Sequence, residues 1–398
     1  MEGGTMNTGT AIFTQLMEFI PKRQFRRIVE KYSGEKGVRS FSCWDQFLCM
    51  AFAQLTYRES LRDIETCLRS QGSKLYHIGI RGAVSRSTLA HANDNRDWRI
   101  YADLAHILIA EARQLYADEE LAVELKNAVY ALDSTTIDLC MKLFPWAKFR
   151  SAKAGIKLHT LLDLRGSIPS FISISPAKKA DVTILDDLIF EAGAHYIMDR
   201  GYVDFARLYR IEQSKAFFVT RAKKRLAYRI HKSTQCVRGS PVKKDQMISL
   251  LYPKLFKKYP MQFRRIDFYD AEYERHLIFL TNNLLLDAIS IALLYKARWK
   301  VELFFKWIKQ HLRIKVFFGT SENAVHTQVW IAIAVYALVA IIKKRLHSPL
   351  SLHSLFQIIS INAVNKTPIL QAFLNETPAD PLPKNDNQLI LQGIYIGQ

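Results

Sequence analysis

IALLYKARWKVELFFKWIKQH, residues 291–311, is the stretch that decides how the chain is interpreted. It carries four polar residues, Tyr295, Arg298, Glu302 and Lys309. Because an α-helix turns about 100° per residue, one helix would place all four within an arc of about 60°, spread over roughly 21 Å. Apolar residues cover the remaining surface and predict a largely buried helix. A buried carboxylate between two cations costs free energy, so the pattern indicates either a satisfied ion pair or a functional site.

The composition predicts a globular and strongly basic protein. The chain has 398 residues, of which 49% are hydrophobic and 23% charged, which suggests two or three domains with ample core. Lys and Arg number 56 against 37 for Asp and Glu, giving a net charge of +19 and a pI near 9.6. This excess favours a polyanionic partner. Nucleic acid is preferred to an anionic membrane surface, because no exposed amphipathic basic helix stands out.

Cysteine usage and hydropathy predict a cytoplasmic protein without a membrane partner. The five cysteines are scattered and lack C-x2-C spacing, which predicts reduced thiols rather than a zinc site or disulfides. The N-terminus lacks the basic and apolar pattern of a signal peptide. The longest apolar run, residues 329–342, is short for a membrane span and predicts a buried helix.

Residues 1–125 are predicted to form an all-α N-terminal domain, for which DNA binding is one interpretation. Ser60 and Ser87 are plausible N-caps of two of its helices. Basic residues near the turns are compatible with a helix-turn-helix reader, in which residues 85–88 would open the last helix and hold a phosphate. A helical bundle with a solvated basic face is the alternative. The predicted helices span residues 11–20, 22–32, 43–57, 60–70, 87–95 and 98–117.

From residue 126 the pattern changes to an α/β (α+β) core with a mixed sheet. Its first part is predicted to span 126–221, followed by a basic β-rich insertion at 222–274, a second core part with the opening helix at 275–345, and a helical piece with a polar tail at 346–398. Asp181 is expected to cap a helix over residues 181–193. The predicted strands span residues 128–132, 156–164, 168–177, 196–198, 217–219 and 276–282.

Two acids, Asp133 and Asp199, terminate predicted strands, where side chains emerge from a sheet into a cleft. Together with Glu302 they could converge and hold two Mg2+ ions, or Mn2+ in their place, about 3.5–4 Å apart. Hard oxygen ligands favour these ions over zinc. Such a site performs phosphodiester chemistry on DNA or RNA. Alternatively, Asp133 is a turn residue and Asp199 a helix-start residue.

Other polar residues compete for roles in this region. Asp138 would face the side of its strand opposite to Asp133. Asp163 precedes a turn, where a structural role is the default. His159 shares a strand face with Lys157 and is expected to be a core or phosphate-facing residue rather than a metal ligand.

Tyr295-x2-Arg298-x3-Glu302-x6-Lys309 resembles the YREK signature of the insertion-sequence-4 family of DDE transposases. The segments that follow Asp133 (DSTT) and Asp199 (DRGY) resemble the regions around the first two acids of that family. The N-terminal segments SLRDIETCL, LYHIGI and STLAHANDNR look like the DNA-binding domain of one branch of these transposases.

The resemblance implies an RNase H-like catalytic core with Asp133, Asp199 and Glu302 as the metal-binding triad. Double-stranded DNA would be the partner, with a homodimer assembled on paired transposon ends. One active site would cut the 3′ end, and the freed 3′-hydroxyl would attack target DNA. A transposase-derived DNA-binding protein without activity, or a stand-alone RNase H-like nuclease, is the alternative. The expected DNA contacts are Tyr295, Arg298 and Lys309, acting as a clamp rather than as salt-bridge partners of Glu302, together with Arg200, Lys157 and His159.

Some members of the family cut the second strand through a DNA hairpin, helped by an aromatic wedge from the insertion. Residues 222–274 contain no Trp. Four other aromatic residues of this segment are candidates for the wedge: Tyr228, Tyr252, Tyr259 and Phe263.

Overall fold

The computed structural model describes residues 9–80, 82–121, 123–151, 153–223, 225–311 and 317–374. Its N-terminal part is helical, as the sequence predicts. The helices are α1 (Ile12–Met17), α2 (Lys22–Lys31), α3 (Cys43–Leu55), α4 (Leu61–Ser70), α5 (Arg86–Asn95) and α6 (Arg99–Leu115).

Serine hydroxyls start three of these helices. Ser42 accepts from the backbone N–H of Asp45 (3.0 Å), whose carboxylate accepts in return from the N–H of Ser42 (2.8 Å), a reciprocal cap that satisfies two free donors. Ser60 caps α4, as predicted. The prediction for Ser87 is wrong: Ser85 has the extended backbone of an N-cap and accepts from the N–H of Thr88 at 3.1 Å.

A buried group of polar side chains, which we call the glutamine network, joins α3, α5 and α6. Gln46 is fully buried and donates to Asn93 at 2.8 Å. Its side-chain carbonyl accepts from Tyr101 at 2.8 Å and from Arg96 at 3.0 Å. Each polar end of the Gln46 amide therefore has a partner, as expected for a buried polar group.

The rest of the described chain contains a ten-stranded sheet and seven further helices. The strands are β1 (Val129–Leu139), β2 (Lys148–Arg150), β3 (Lys153–Asp163), β4 (Ile168–Pro176), β5 (His195–Met198), β6 (Phe217–Arg221), β7 (Tyr228–Thr234), β8 (Val242–Leu250), β9 (Phe263–Asp270) and β10 (Arg275–Thr281). The helices are α7 (Phe205–Gln213), α8 (Pro253–Phe256), α9 (Ala288–Ala297), α10 (Trp299–His311), α11 (Glu322–Arg345), α12 (Leu352–Asn362) and α13 (Ile369–Leu374).

The sheet is mixed, which confirms the predicted fold class at this level. Its order is β2-β3-β1-β5-β6-β10-β9-β8-β7, with β4 also paired to β3. The pairs β1–β5 and β5–β6 are parallel, and the other pairs are antiparallel. The strands predicted within residues 222–274 are present, and they continue the same sheet through β9 and β10.

Helix α11 lies at the centre of the helical part. Residues 329–342 fall within it and are all buried, which confirms the prediction of a buried helix. Within the described residues it is the one helix long and apolar enough to cross a membrane, yet 94% of that apolar window is buried inside the protein. Helices α3, α5 and α6 pack against it, so the N-terminal helices and the C-terminal part share one core.

Three local predictions are wrong. First, β1 does not end at Asp133 but continues to Leu139, because β3 pairs with it along this whole length. Second, residues 181–187 form a short 3-10 segment rather than an α-helix, and Asp181 does not cap it. The carboxylate of Asp181 instead accepts from the hydroxyl of Ser134 at 2.6 Å.

The third correction concerns the stretch 291–311, which is not one helix. It divides into α9 and α10 at Arg298. The N–H groups of Arg298 and Val301 bond to carbonyls three residues back, at 3.1 and 3.0 Å. These bonds make the turn at residue 298 tighter than an α-helical one.

Two of the four candidates for the aromatic wedge are excluded because their side chains are buried. Tyr259 and Phe263 are buried in the core below α7 and the sheet. Tyr252 is 58% exposed and Tyr228 is half-buried, so these two keep the candidate role.

Candidate active site

Parallel pairing brings Asp133 and Asp199 to neighbouring positions. Leu132 on β1 pairs with Met198 on β5, the last pair between these strands. Asp133 and Asp199 each follow directly, where the two strands separate. The prediction that an acid follows the end of a strand is thus confirmed for Asp199. For Asp133 the strand continues, and only its parallel pairing with β5 ends there.

Asp199 also starts a short turn, as its alternative interpretation predicts. One carboxylate oxygen accepts from the N–H of Gly201 at 2.7 Å. A Cβ on Gly201 would lie 2.9 Å from this oxygen, so a side chain there would disturb the acid. The glycine in the DRGY segment therefore serves the position of Asp199.

Asp133 is held by a backbone amide and by a cation. Its Oδ1 accepts from the N–H of Ser134 at 2.8 Å, and its Oδ2 accepts from Nη1 of Arg298 at 2.7 Å. Burial raises the pKa of Asp133 to about 6, Arg298 opposes this shift, and the charges of Asp199 and Glu302 add to it. Like charges act on the pKa of a carboxylate in this direction when they lie near it.

Glu302 lies in the first turn of α10 and is connected to Asp133 through Arg298. Nη2 of Arg298 donates to Oε1 of Glu302 at 2.5 Å. One guanidinium therefore bridges two of the three predicted acids. We call Asp133, Asp199, Glu302 and Arg298 the acid site. The prediction that Arg298 would not be a salt-bridge partner of Glu302 is wrong, because the two residues form an ion pair four positions apart on the chain.

Lys309 and Tyr295, two further polar residues of the stretch 291–311, also face the sheet. Lys309 donates to the carbonyl of Thr136 on β1 at 3.0 Å. Tyr295 is buried, with its ring centroid 4.9 Å from that of Phe279. The polar face predicted for the stretch 291–311 is therefore the face by which α9 and α10 pack on the sheet beside the acids.

The donor set fits a hard divalent cation in its chemistry, although it is not preassembled as a cage. Within the described ranges, no three His, Cys, Asp or Glu side chains are grouped closely enough to hold a metal ion. The physical reason is that the Arg298 guanidinium lies between Asp133 and Glu302 and provides the positive charge there. Carboxylates that gather around a cation are the ligands that Mg2+ and Mn2+ prefer, so Asp133, Asp199 and Glu302 would hold such an ion.

A second polar group lies beside Asp133 on the paired strand β3. Lys157 pairs with Asp181 at 3.0 Å and also donates to the carbonyl of Lys179 at 2.8 Å. His159 is fully buried and shares a hydrogen bond of 2.8 Å with Ser175. Burial lowers the pKa of His159 to about 4. The core alternative for His159 is therefore favoured, and a DNA contact through this side chain is not supported.

The remaining candidate residues differ in burial and in their position relative to the acids. Arg200 is exposed next to Asp199, where a phosphate can reach it. Asp163 is buried at the far end of β3 and accepts from the N–H of Arg165 at 3.0 Å, which confirms its structural role. Asp138 is exposed on β1. The sequence did not indicate that Asp181 and Tyr202 border the site; the only available signal for Tyr202 was its place in the DRGY segment.

A groove in the helical part offers basic and hydroxyl side chains to solvent. Its volume is about 690 Å³. Ser87 and Thr88 at the start of α5 line it together with His91, Lys36 and Arg39. Hydroxyl and basic side chains near a helix start are of the kind that binds phosphate groups in other proteins.

Comparisons with known proteins identify the family to which the chain belongs. The family model described as the transposase DDE domain matches residues 124–338. A second model, described as a domain of unknown function (DUF4372), matches residues 8–81. The first match covers the sheet, the three acids and most of α11.

Named relatives agree with the family models. The chain is 31% identical over 335 residues to a Geobacillus stearothermophilus protein named as a transposase for insertion sequence element IS5377, covering 84% of this chain and 85% of that protein. It is 35% identical over 257 residues to a Sinorhizobium fredii protein named as transposase y4zB, covering 64% and 70%. A solved structure of the piggyBac transposase synaptic complex with hairpin DNA aligns with a TM-score of 0.46 and 10% identity over 94% of this chain and 82% of that one, a likeness too weak to carry an argument.

The chain belongs to the DDE transposase family. Enzymes of this family cleave and transfer DNA strands, and they depend on a divalent metal ion. The strongly basic composition agrees with DNA as the partner.

Proposed function

We propose that this chain is the transposase of a bacterial insertion sequence, of the insertion-sequence-4 family with its YREK signature, and that its catalytic core is RNase H-like. The observation that carries the proposal is the parallel pairing that ends at Leu132 and Met198. It sets Asp133 and Asp199 side by side, and Arg298 connects them to Glu302. Three acids from two strands and a helix would otherwise repel one another without benefit.

Asp133, Asp199 and Glu302 hold the divalent metal in this proposal, as two Mg2+ ions or Mn2+ in their place. When bound, the metal supplies positive charge that activates a water or a 3′-hydroxyl and stabilises the leaving oxygen. Arg298, freed from the acids, binds a phosphate of the transposon end together with Tyr295 and Lys309. Arg200 and Lys157 extend this basic surface. The phosphates thereby replace the carboxylates as partners of the guanidinium.

The N-terminal helices bind the terminal inverted repeats, and the groove lined by Lys36, Arg39 and Ser87 is the surface that supports this assignment. We retain the division into residues 1–125, 126–221, 222–274, 275–345 and 346–398. The enzyme acts as a homodimer on paired ends, in the cytoplasm and on nucleoid DNA. It hydrolyses the phosphodiester at the transposon 3′ end and directs the freed hydroxyl to target DNA.

The test is strand nicking by the Glu302→Gln variant. The substrate is a duplex carrying the DNA that flanks the reading frame, with Mg2+ as the cation. Loss of one metal-binding carboxylate is expected to reduce nicking at least about 100-fold, since metal charge supplies several kcal/mol to the transition state. Binding to the duplex should be retained.

The matched control is Asp138→Asn, which removes an exposed acid from the same strand as Asp133. It should nick like the wild type. Nicking by Glu302→Gln at the wild-type rate would overturn the assignment of the triad.

A DNA-binding protein without catalytic activity is the second candidate, and one observation favours it. Arg298 already neutralises Asp133 and Glu302 by direct pairing, as in a purely structural ion cluster. If this pairing were permanent, the wild type would bind the terminal DNA yet fail to nick it with either Mg2+ or Mn2+.

A further inference from the structure

Tyr202 is a buried residue whose hydroxyl lacks a partner. It ends the short turn that follows Asp199, and its side chain is 2% exposed. Among the described residues, the hydroxyl has no hydrogen-bond partner. A buried polar group left unpaired costs about 1–3 kcal/mol, and native structures contain few of them. The position of this hydroxyl therefore needs a reason.

The surroundings of the hydroxyl are acidic. The charges of Asp133, Asp181 and Asp199 all reach it. The neighbouring hydroxyl of Ser134 donates its proton to Asp181 (2.6 Å). The Tyr202 hydroxyl thus lies beside the Ser134 hydroxyl and near these carboxylates, and among the described residues it makes no hydrogen bond of normal geometry.

The three carboxylates retain capacity to accept another hydrogen bond. Each carboxylate offers about four acceptor positions. The hydrogen bonds to Asp133 come from the N–H of Ser134 and from Arg298, and the hydrogen bond to Asp199 comes from the N–H of Gly201. Because burial and the neighbouring charges raise the pKa of Tyr202, the phenol stays protonated at neutral pH and keeps its donor.

We propose that Tyr202 is a positioning residue whose hydroxyl donates to an acid-site carboxylate in the metal-bound state. The inference rests on the proposed function. Oδ2 of Asp133 is taken by Arg298, so a bound cation competes with this guanidinium for the carboxylate. The Tyr202 hydroxyl then donates to a carboxylate of the pair Asp133 and Asp199 and fixes its orientation. Donors of this kind fix the orientation of metal-binding carboxylates, and their loss typically weakens metal affinity about 10- to 100-fold.

The test variant is Tyr202→Phe, which removes one oxygen atom. The matched control is Tyr196→Phe: Tyr196 is 1% exposed, and its hydroxyl is satisfied by the N–H of Glu191 at 2.9 Å. The full-length proteins are titrated with Mn2+, and the melting temperature is recorded at each concentration. A ligand that binds the folded state raises this temperature, and the rise grows with the logarithm of the ligand concentration relative to its Kd.

Tyr202→Phe is expected to melt at or above the wild-type temperature without metal, because an unsatisfied hydroxyl is lost. Its apparent Mn2+ affinity should fall about 10-fold or more. Tyr196→Phe should do the reverse, with lower metal-free stability and unchanged Mn2+ affinity.

Two results would overturn the inference alone: Mn2+ affinity of Tyr202→Phe within twofold of the wild type, or a loss of metal-free stability matching that of Tyr196→Phe. The second result would mean that the hydroxyl has a structural partner. If the wild type shows no Mn2+-dependent rise at all, the proposed metal site fails, and the inference fails with it.

Discussion

The glutamine network and the acid site both place charged and polar groups between packed elements, but they treat those groups in opposite ways. In the glutamine network, Gln46 is bonded at both ends of its amide. In the acid site, burial raises the pKa of Asp133 to about 6, and the charges of Asp199 and Glu302 add to this shift. Beside it, the Tyr202 hydroxyl has no partner within the described residues. A satisfied network stabilises one structure, whereas an unsatisfied one retains capacity for a ligand.

The largest effect is expected from a substitution in the glutamine network. Gln46→Ala would leave Asn93, Arg96 and Tyr101 without the partner they share, and it would open a small cavity. We expect a loss of about 2–4 kcal/mol in the free energy of unfolding. Denaturant unfolding of the variant measures it.

The control for this prediction is Gln114→Ala on the exposed side of α6, which should change the free energy of unfolding by less than about 0.5 kcal/mol. Equal stability of the two variants would show that the network contributes nothing to the core.

A smaller effect is expected at the acid site, where the free energy of unfolding should depend on pH. The folded pKa of Asp133 is raised from 3.8 to about 6, so the folded protein binds this proton more tightly than the unfolded chain does. The corresponding stability is fully present below about pH 4 and is lost as the pH rises through about 6. Its size is at most about 3 kcal/mol.

Asp133→Asn should therefore flatten this part of the stability profile, measured by denaturant unfolding between pH 4 and 8 with divalent ions chelated. Asp138→Asn, at an exposed position of the same strand, should keep the wild-type slope. A wild-type slope in Asp133→Asn would mean that another group causes it.

The sequence predicted the parts of the site that depend on local pattern. Asp199 follows an apolar strand, and Glu302 lies on an amphipathic helix, so both signals are contained within a few residues. The buried helix at 329–342 and the serine cap at residue 60 are likewise local and are confirmed. The family resemblance added the order of the three acids, which stays a prediction, whereas the DDE domain match confirms the transposase family.

The parts that were missed depend on pairing between distant segments. The extension of β1 beyond Asp133 is imposed by β3, and the neighbouring positions of Asp133 and Asp199 are imposed by the β1–β5 register. Periodicity predicted one helix across Arg298, since no Pro or Gly interrupts it. The break became visible only with the packing of α9 and α10 on the sheet, and with it the bridge from Arg298 to two acids.

The most direct test of the central claim is a crystal structure of the full chain with Mn2+ and a terminal DNA duplex, in which anomalous scattering locates the metal. If Asp133 and Asp199 hold the metal, an Mn2+ peak is expected about 2.1 Å from their carboxylate oxygens. We also predict that Arg298 has left Asp133 for a DNA phosphate. A bound duplex with the Arg298–Asp133 pair intact and no metal peak beside these acids would contradict this claim.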